Sequence, residues 1–238
     1  MRALLMLSLL LSFGYSNKIA DIPEASGIDY CSSSDTLVVA NDEGWYYEMT
    51  TDGEILSKDR LKKYDLEGVV CADDHFLFAI EDKGLLKVNR ATKKMKLIPI
   101  NLKYNGKKIK LLDKKSGIEG IAKVGDLYYL SKQSKKKKKS FIVAIKIKNS
   151  KAKIVDVIEH KIADTAGLTY HQGFLYMVSD KGNVVIEYSL KKQKIISKTK
   201  LQKSHQEGIA FDNKGFFYIA DDGGSILKYS KELLSNHK

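Results

Sequence analysis

Cysteine, proline and tryptophan are scarce in this 238-residue chain, at two, two and one residues. No Cys/His spacing suits zinc, so a structural zinc site is excluded. The lack of any Pro- or Gly-rich stretch leaves no linker, which excludes a string of domains. Helix-period patterning is nearly absent, so a helical bundle is excluded as well. Acidic residues are the minority charge, 29 against 41 Lys and Arg, for a formal net charge of +12.

The longest largely apolar run, Ala3 to Leu11 behind Met1 and Arg2, is broken only by Ser8 and is too short to span a bilayer, which takes about 20 residues. Followed by Ser12-Phe-Gly-Tyr-Ser16, it reads as a secretory signal peptide over residues 1–16. Residues 17–238 are then a single mature domain, periplasmic or secreted; an uncleaved membrane anchor is the alternative. An exported protein meets little nucleic acid, so none is expected as a partner. The densest basic cluster, Lys135 to Lys139, leaves room for a weak contact with an anionic membrane surface. Most other lysines stand singly at strand ends, where they serve as solvated faces and edge protection.

What is present is repetition. A Gly followed by an aliphatic residue recurs at Gly27-Ile28, Gly68-Val69, Gly120-Ile121, Gly167-Leu168 and Gly208-Ile209, at intervals of 41, 52, 47 and 41 residues. Spacing of that size belongs to a β-propeller blade. Short bursts of β-formers such as Leu37 to Ala40, Phe76 to Ile80, Phe141 to Ile145, Phe174 to Val178 and Phe216 to Ile219 supply buried strands. Hairpin turns follow at Asn41 to Gly44, Glu81 to Gly84, Ser179 to Gly182 and Asp221 to Gly224, whereas the third blade replaces this turn with the lysine run. The spacing therefore predicts an all-β, five-bladed propeller with four strands per blade and the third blade carrying the insertion. Only three strands follow Gly208, so the N-terminal strand, Lys18 to Ile22, is expected to complete the last blade and close the ring. Removing the residues before 23 should open it.

Each blade brings at least one carboxylate to the same mouth of the channel. Immediately before the glycine stand Glu67, Glu119 and Glu207; three before it stand Glu24, Asp65 and Asp164. Positions two apart in an extended strand point the same way, so these six acids should converge. Crowded like charges must take up protons, admit a folded-in lysine or bind a cation. Oxygen-only donors favour a hard ion, and flexible carboxylates suit Ca²⁺ better than octahedral Mg²⁺. The competing explanation is a latch, in which each Glu accepts backbone N–H groups from the neighbouring blade. The two readings can coexist.

The segments Glu24 to Ile28, Asp65 to Val69, Gly117 to Ile121, Asp164 to Leu168 and Gln206 to Ala210, with the Asp/Gly turns, resemble the SdiA-regulated (YjiK-like) family of exported bacterial propellers across essentially the whole mature chain. That resemblance implies a five-bladed, NHL-like propeller of the cell envelope, with a calcium site and no established catalytic activity. Glu67, Glu119 and Glu207 are the positions carried over from the family pattern. The lysine-filled third-blade turn departs from that pattern.

Two functions fit. One is a monomeric calcium-binding module that receives a protein partner or small ligand at the channel mouth. The other is a calcium-dependent hydrolase, lactonase- or phytase-like, using the same carboxylates. No Gly-x-Ser-x-Gly elbow supports catalysis, and His205 has no evident nucleophile beside it. Cys31 and Cys71 follow their repeat glycines by four and three residues, and either a disulfide or two buried thiols would fit. Because neighbouring strand starts in a propeller diverge and disulfide geometry is strict, two free thiols are expected.

Overall fold

A computed structural model describes residues 16–235. The signal peptide read at residues 1–16 lies almost wholly outside that range. The chain opens with β1 (Asn17–Asp21) and then builds blade one from β2 (Ala25–Cys31), β3 (Thr36–Asn41), β4 (Trp45–Thr50) and β5 (Ile55–Arg60). Blade two follows with β6 (Leu66–Cys71), β7 (His75–Ile80), β8 (Gly84–Asn89) and β9 (Met95–Ile98). Three two-residue strands come next, β10 (Ile100–Asn101), β11 (Lys103–Tyr104) and β12 (Lys107–Lys108). Blade three contains β13 (Ile118–Val124), β14 (Leu127–Lys132), β15 (Phe141–Lys148) and β16 (Lys151–Ile158). Blade four contains β17 (Thr165–His171), β18 (Phe174–Ser179), β19 (Val184–Ser189) and β20 (Lys194–Lys200). Blade five consists of β21 (Gln206–Phe211), β22 (Phe216–Asp221) and β23 (Ser225–Ser230), with β1 paired antiparallel to β23 at its outer edge. A single helical turn, α1 (Glu232–Ser235), ends the described chain.

The apolar bursts are continuous because both faces of each blade are covered. In β7, Phe76, Phe78 and Ile80 enter the core between blades one and two, while Leu77 and Ala79 enter the core between blades two and three. In the same way, β22 sends Phe217 and Ile219 toward blade four and Tyr218 and Ala220 toward blade one. Five apolar clusters result, one for each interface between neighbouring blades. The outer strands β5, β9 and β20 are exposed or half-buried along most of their length and carry many of the single lysines.

Two expectations need correction. The larger insertion precedes the third blade rather than lying in its lysine turn: residues 99–117 form a small β11–β12 hairpin, and β10 adds to β16 in parallel at the blade's outer edge. The Asn105-Gly106 dipeptide, whose positive φ at both residues makes the tight turn, was a hairpin signal that the five-fold glycine repeat passed over. Cys31 and Cys71 are not free thiols but form a disulfide, with Cα atoms 5.4 Å apart. Adjacent inner strands do not diverge at this height, where the Asp29 carboxylate on β2 accepts the Cys71 N–H of β6 at 2.8 Å.

Candidate functional site

The five repeat glycines form a ring in which each backbone rests on the next blade. A Cβ on Gly27 would lie 2.3 Å from the Glu67 carbonyl oxygen, and on Gly120 2.5 Å from that of Ala166. On Gly167 it would lie 2.4 Å from the Glu207 carbonyl oxygen, on Gly208 2.9 Å from that of Ser26, and on Gly68 2.8 Å from the Ile121 nitrogen. Only glycine permits inner strands to approach so closely. This ring brings the residues beside the glycines toward a common axis.

At the same level every inner strand carries one residue more than the second strand opposite. The pairing shifts register between Ala25 and Gly27, Leu66 and Val69, Ile118 and Gly120, Thr165 and Leu168, and Gln206 and Gly208. A bulge of this kind redirects a side chain next to a site. The simple alternation expected from sequence is therefore broken. Residues two before the glycine, Leu66, Ile118 and Gln206 among them, are fully buried, and the acids immediately before it stand in the bulge.

Glu67, Glu119 and Glu207 come from the second, third and fifth blades yet sense one another. Burial, followed by the charges of Glu119, Asp65 and Glu207, raises the Glu67 carboxyl well above its usual range. Glu207 is likewise raised by burial and then by Glu119, Asp180, Asp222 and Asp164. Burial and the nearby Glu81 push Glu119 up to about 8. Asp65 belongs to the same group through its effect on Glu67 and Glu81. Asp164 is buried on the fourth-blade side, and Glu24 is exposed at the rim, both with left-handed backbone.

A second tier of acids comes from the hairpin turns between second and third strands. Asp42, pushed up to about 7 by burial and by Glu24, faces Glu24 and Asp65. Glu81 rises to about 6 through burial, although it accepts the Gly117 N–H at 3.1 Å. Asp180 is raised by burial, and Asp222 adds to the charge felt by Glu207. Turn chemistry accounts for these residues so well that sequence reading assigns them to hairpins alone. Because both sets of turns lie on one face of an up-and-down blade, their convergence was nonetheless deducible.

One lysine folds in. Lys132 is buried among these acids, donates to the Ser116 carbonyl and is drawn to Asp113, Glu119 and Glu81, while burial lowers its own pKa. The latch between blades falls largely to other residues, Glu81 to Gly117 and Asp29 to Cys71, while within blade five Asp221 accepts the His205 N–H at 3.3 Å. By contrast, Glu207 Oε2, Asp42 Oδ1 and Asp164 Oδ1 are buried without a partner. His205 is exposed and stands 3.8 Å from Asp180. Among the described residues, no three His, Cys, Asp or Glu side chains already form a metal cage.

The fold and this mouth define a five-bladed β-propeller that gathers carboxyls around its axis beneath a basic exterior. The SdiA-regulated family model matches residues 15–224, and the chain belongs to that family. No curated protein sequence matches it. Among solved structures, the glutaminyl cyclase of Myxococcus xanthus is similar, with a TM-score of 0.64 and 10% identity. That match covers 91% of this chain and 95% of the cyclase, and it is a likeness of fold alone.

Proposed function

We propose that the protein is an exported, monomeric, calcium-binding propeller that acts as a binding or scaffold module, receiving a ligand or partner at its acidic mouth. The observation that carries this reading is the set of buried carboxyl oxygens left without partners, on Glu207, Asp42 and Asp164, inside a group of like charges. A buried acceptor without a donor is costly, and a hard cation relieves both that cost and the repulsion. The donors are all oxygens, as calcium requires. Glu67, Glu119 and Glu207 would hold the ion with Asp65 and Asp164, and Glu24 would contribute from the rim. The bound ion would supply the positive charge that lets these acids ionise together. Export agrees with the Cys31–Cys71 disulfide, since such bonds persist in oxidising compartments. We also propose that the β1–β23 pairing closes the ring.

Thermal melting of residues 17–238 with calcium or with chelator tests the metal. Calcium should raise Tm by several degrees, and the Glu67→Gln/Glu119→Gln variant should fold but lose the response. Superimposable curves would remove calcium from the account.

A second reading, a hydrolase at the same mouth, draws on Glu119, because a carboxyl that stays protonated near neutral pH can act as a general acid. Turnover of a lactone or phosphoester that disappears in Glu119→Gln would favour it over pure binding.

A further inference from the structure

Between blades three and four, beside Asp164 and Asp180 at the edge of the acidic mouth, lies a pocket of about 350 Å³. Five lysines surround it: Lys135, Lys137, Lys161, Lys181 and Lys198. Among the described residues none of the five forms an ion pair with a carboxylate. Its floor is apolar and includes Ile162, Val184 and Ile186, which belong to the packing between the two blades. Ile186 is fully buried, while Ile162 and Val184 are only partly covered.

The lysine turn of blade three supplies one wall, and several bonds hold it in place. The Ser134 carbonyl accepts the Asp164 N–H at 2.8 Å, Lys139 N–H reaches the Lys136 carbonyl at 2.8 Å, and Ser140 Oγ donates to the Lys132 carbonyl at 3.1 Å. The other four blades have short hairpins at this position and no comparable wall.

Solvated lysines would explain a basic rim, but not a concave apolar floor beneath it. Gathering ammonium groups costs repulsion, and partly wetted Ile and Val surface costs hydration. A guest with a negative end and an apolar body removes both costs. We propose that this pocket binds a monomeric anionic amphiphile, its phosphate or carboxylate held by the lysines and its apolar body resting on Ile162 and Val184.

The volume lies at the lower end of small-molecule sites, about 300–1,000 Å³, and suits one chain or ring. A bilayer surface fits less well. Membrane contact calls for apolar side chains that protrude beside the charges. Here the exposed ones lie elsewhere, including Ile55 and Leu56 on β5 and Met95 and Leu97 on β9. None of the six carboxylates proposed for calcium lines the pocket, although Asp164 follows the lining residue Ala163, so the test is run with calcium removed.

Calorimetry in chelator tests it, with decyl phosphate below its micellar concentration, inorganic phosphate, decanol and anionic phosphatidylglycerol vesicles as separate probes. Decyl phosphate should bind at least tenfold more tightly than inorganic phosphate or decanol, and added salt should weaken it. The exposed-lysine variant Lys135→Ser/Lys137→Ser/Lys181→Ser should lose about tenfold, and Val184→Asp should reduce decyl phosphate to the level of inorganic phosphate. Equal binding of both phosphates, or undiminished binding by the lysine variant, would overturn the proposal. So would vesicle binding that exceeds monomer binding and survives Val184→Asp, since it would mark a surface contact.

Discussion

Glu119 shows how burial and neighbours set the chemistry of a single side chain. Its carboxyl has few exposed surfaces, faces Glu81 and Asp65, and is only partly compensated by Lys132, so it holds a proton up to about pH 8. An acid raised in this way stabilises the fold below its unfolded pKa, near 4.5, and that contribution is lost as pH climbs to the folded value. Glu67 and Glu207 act in the same direction. Without calcium, Tm should therefore fall between pH 5 and pH 8, and the decline should be shallower in Glu119→Gln, whose amide cannot ionise. Differential scanning calorimetry across that range measures both slopes; parallel slopes would mean that Glu119 ionises as freely in the fold as outside it. The acids beside the glycines were legible in the sequence because the repeat aligns them. Asp42, Glu81, Asp180 and Asp222 were visible but were fully explained as turn formers. The bulge that redirects Glu67, Glu119 and Glu207 leaves no composition signal, since it depends on which residue of the second strand has no partner.

At the scale of elements, the inner strands β2 and β6 are joined three times: by the glycine contact, by Asp29 to Cys71 N–H, and by the disulfide. The strands themselves could be read from their apolar bursts, and their continuity foretold that both faces are covered. The disulfide could not, because sequence spacing says nothing of how far adjacent strands diverge after the glycine. Cross-linking residues 40 apart restricts the unfolded chain by about 4 kcal/mol on a chain-entropy argument. Replacing both cysteines by serine should thus lower Tm by on the order of 10 °C. Reductant should lower the parent protein's Tm comparably while leaving the double-serine variant unchanged. Burial of Asp29, which raises its carboxyl to about 7, gives this junction its own pH sensitivity. Parallel addition of β10 to β16 was hidden for a related reason: two-residue strands have no period to detect.

Over the whole molecule, a strongly basic body surrounds an acidic axis, and the two are linked through protons. At neutral pH burial and mutual repulsion keep protons on Glu119, Glu67 and Glu207, since Lys132 offsets their crowding only in part. A cation that enters must displace them, so calcium binding and proton release are two sides of one equilibrium. Calcium affinity should rise with pH from 6 to 8 and level off above the Glu119 value. Calorimetric titrations at pH 7 in two buffers of different ionisation enthalpy should give different apparent heats, with release of about one proton or more per ion. Glu119→Gln should reduce both the release and the pH dependence, even if some affinity persists through Glu67, Glu207 and Asp65. Identical heats in the two buffers would show that the ion meets carboxylates already ionised. The positive charge needed at the axis would then come from Lys132 and the surrounding body rather than from a bound metal.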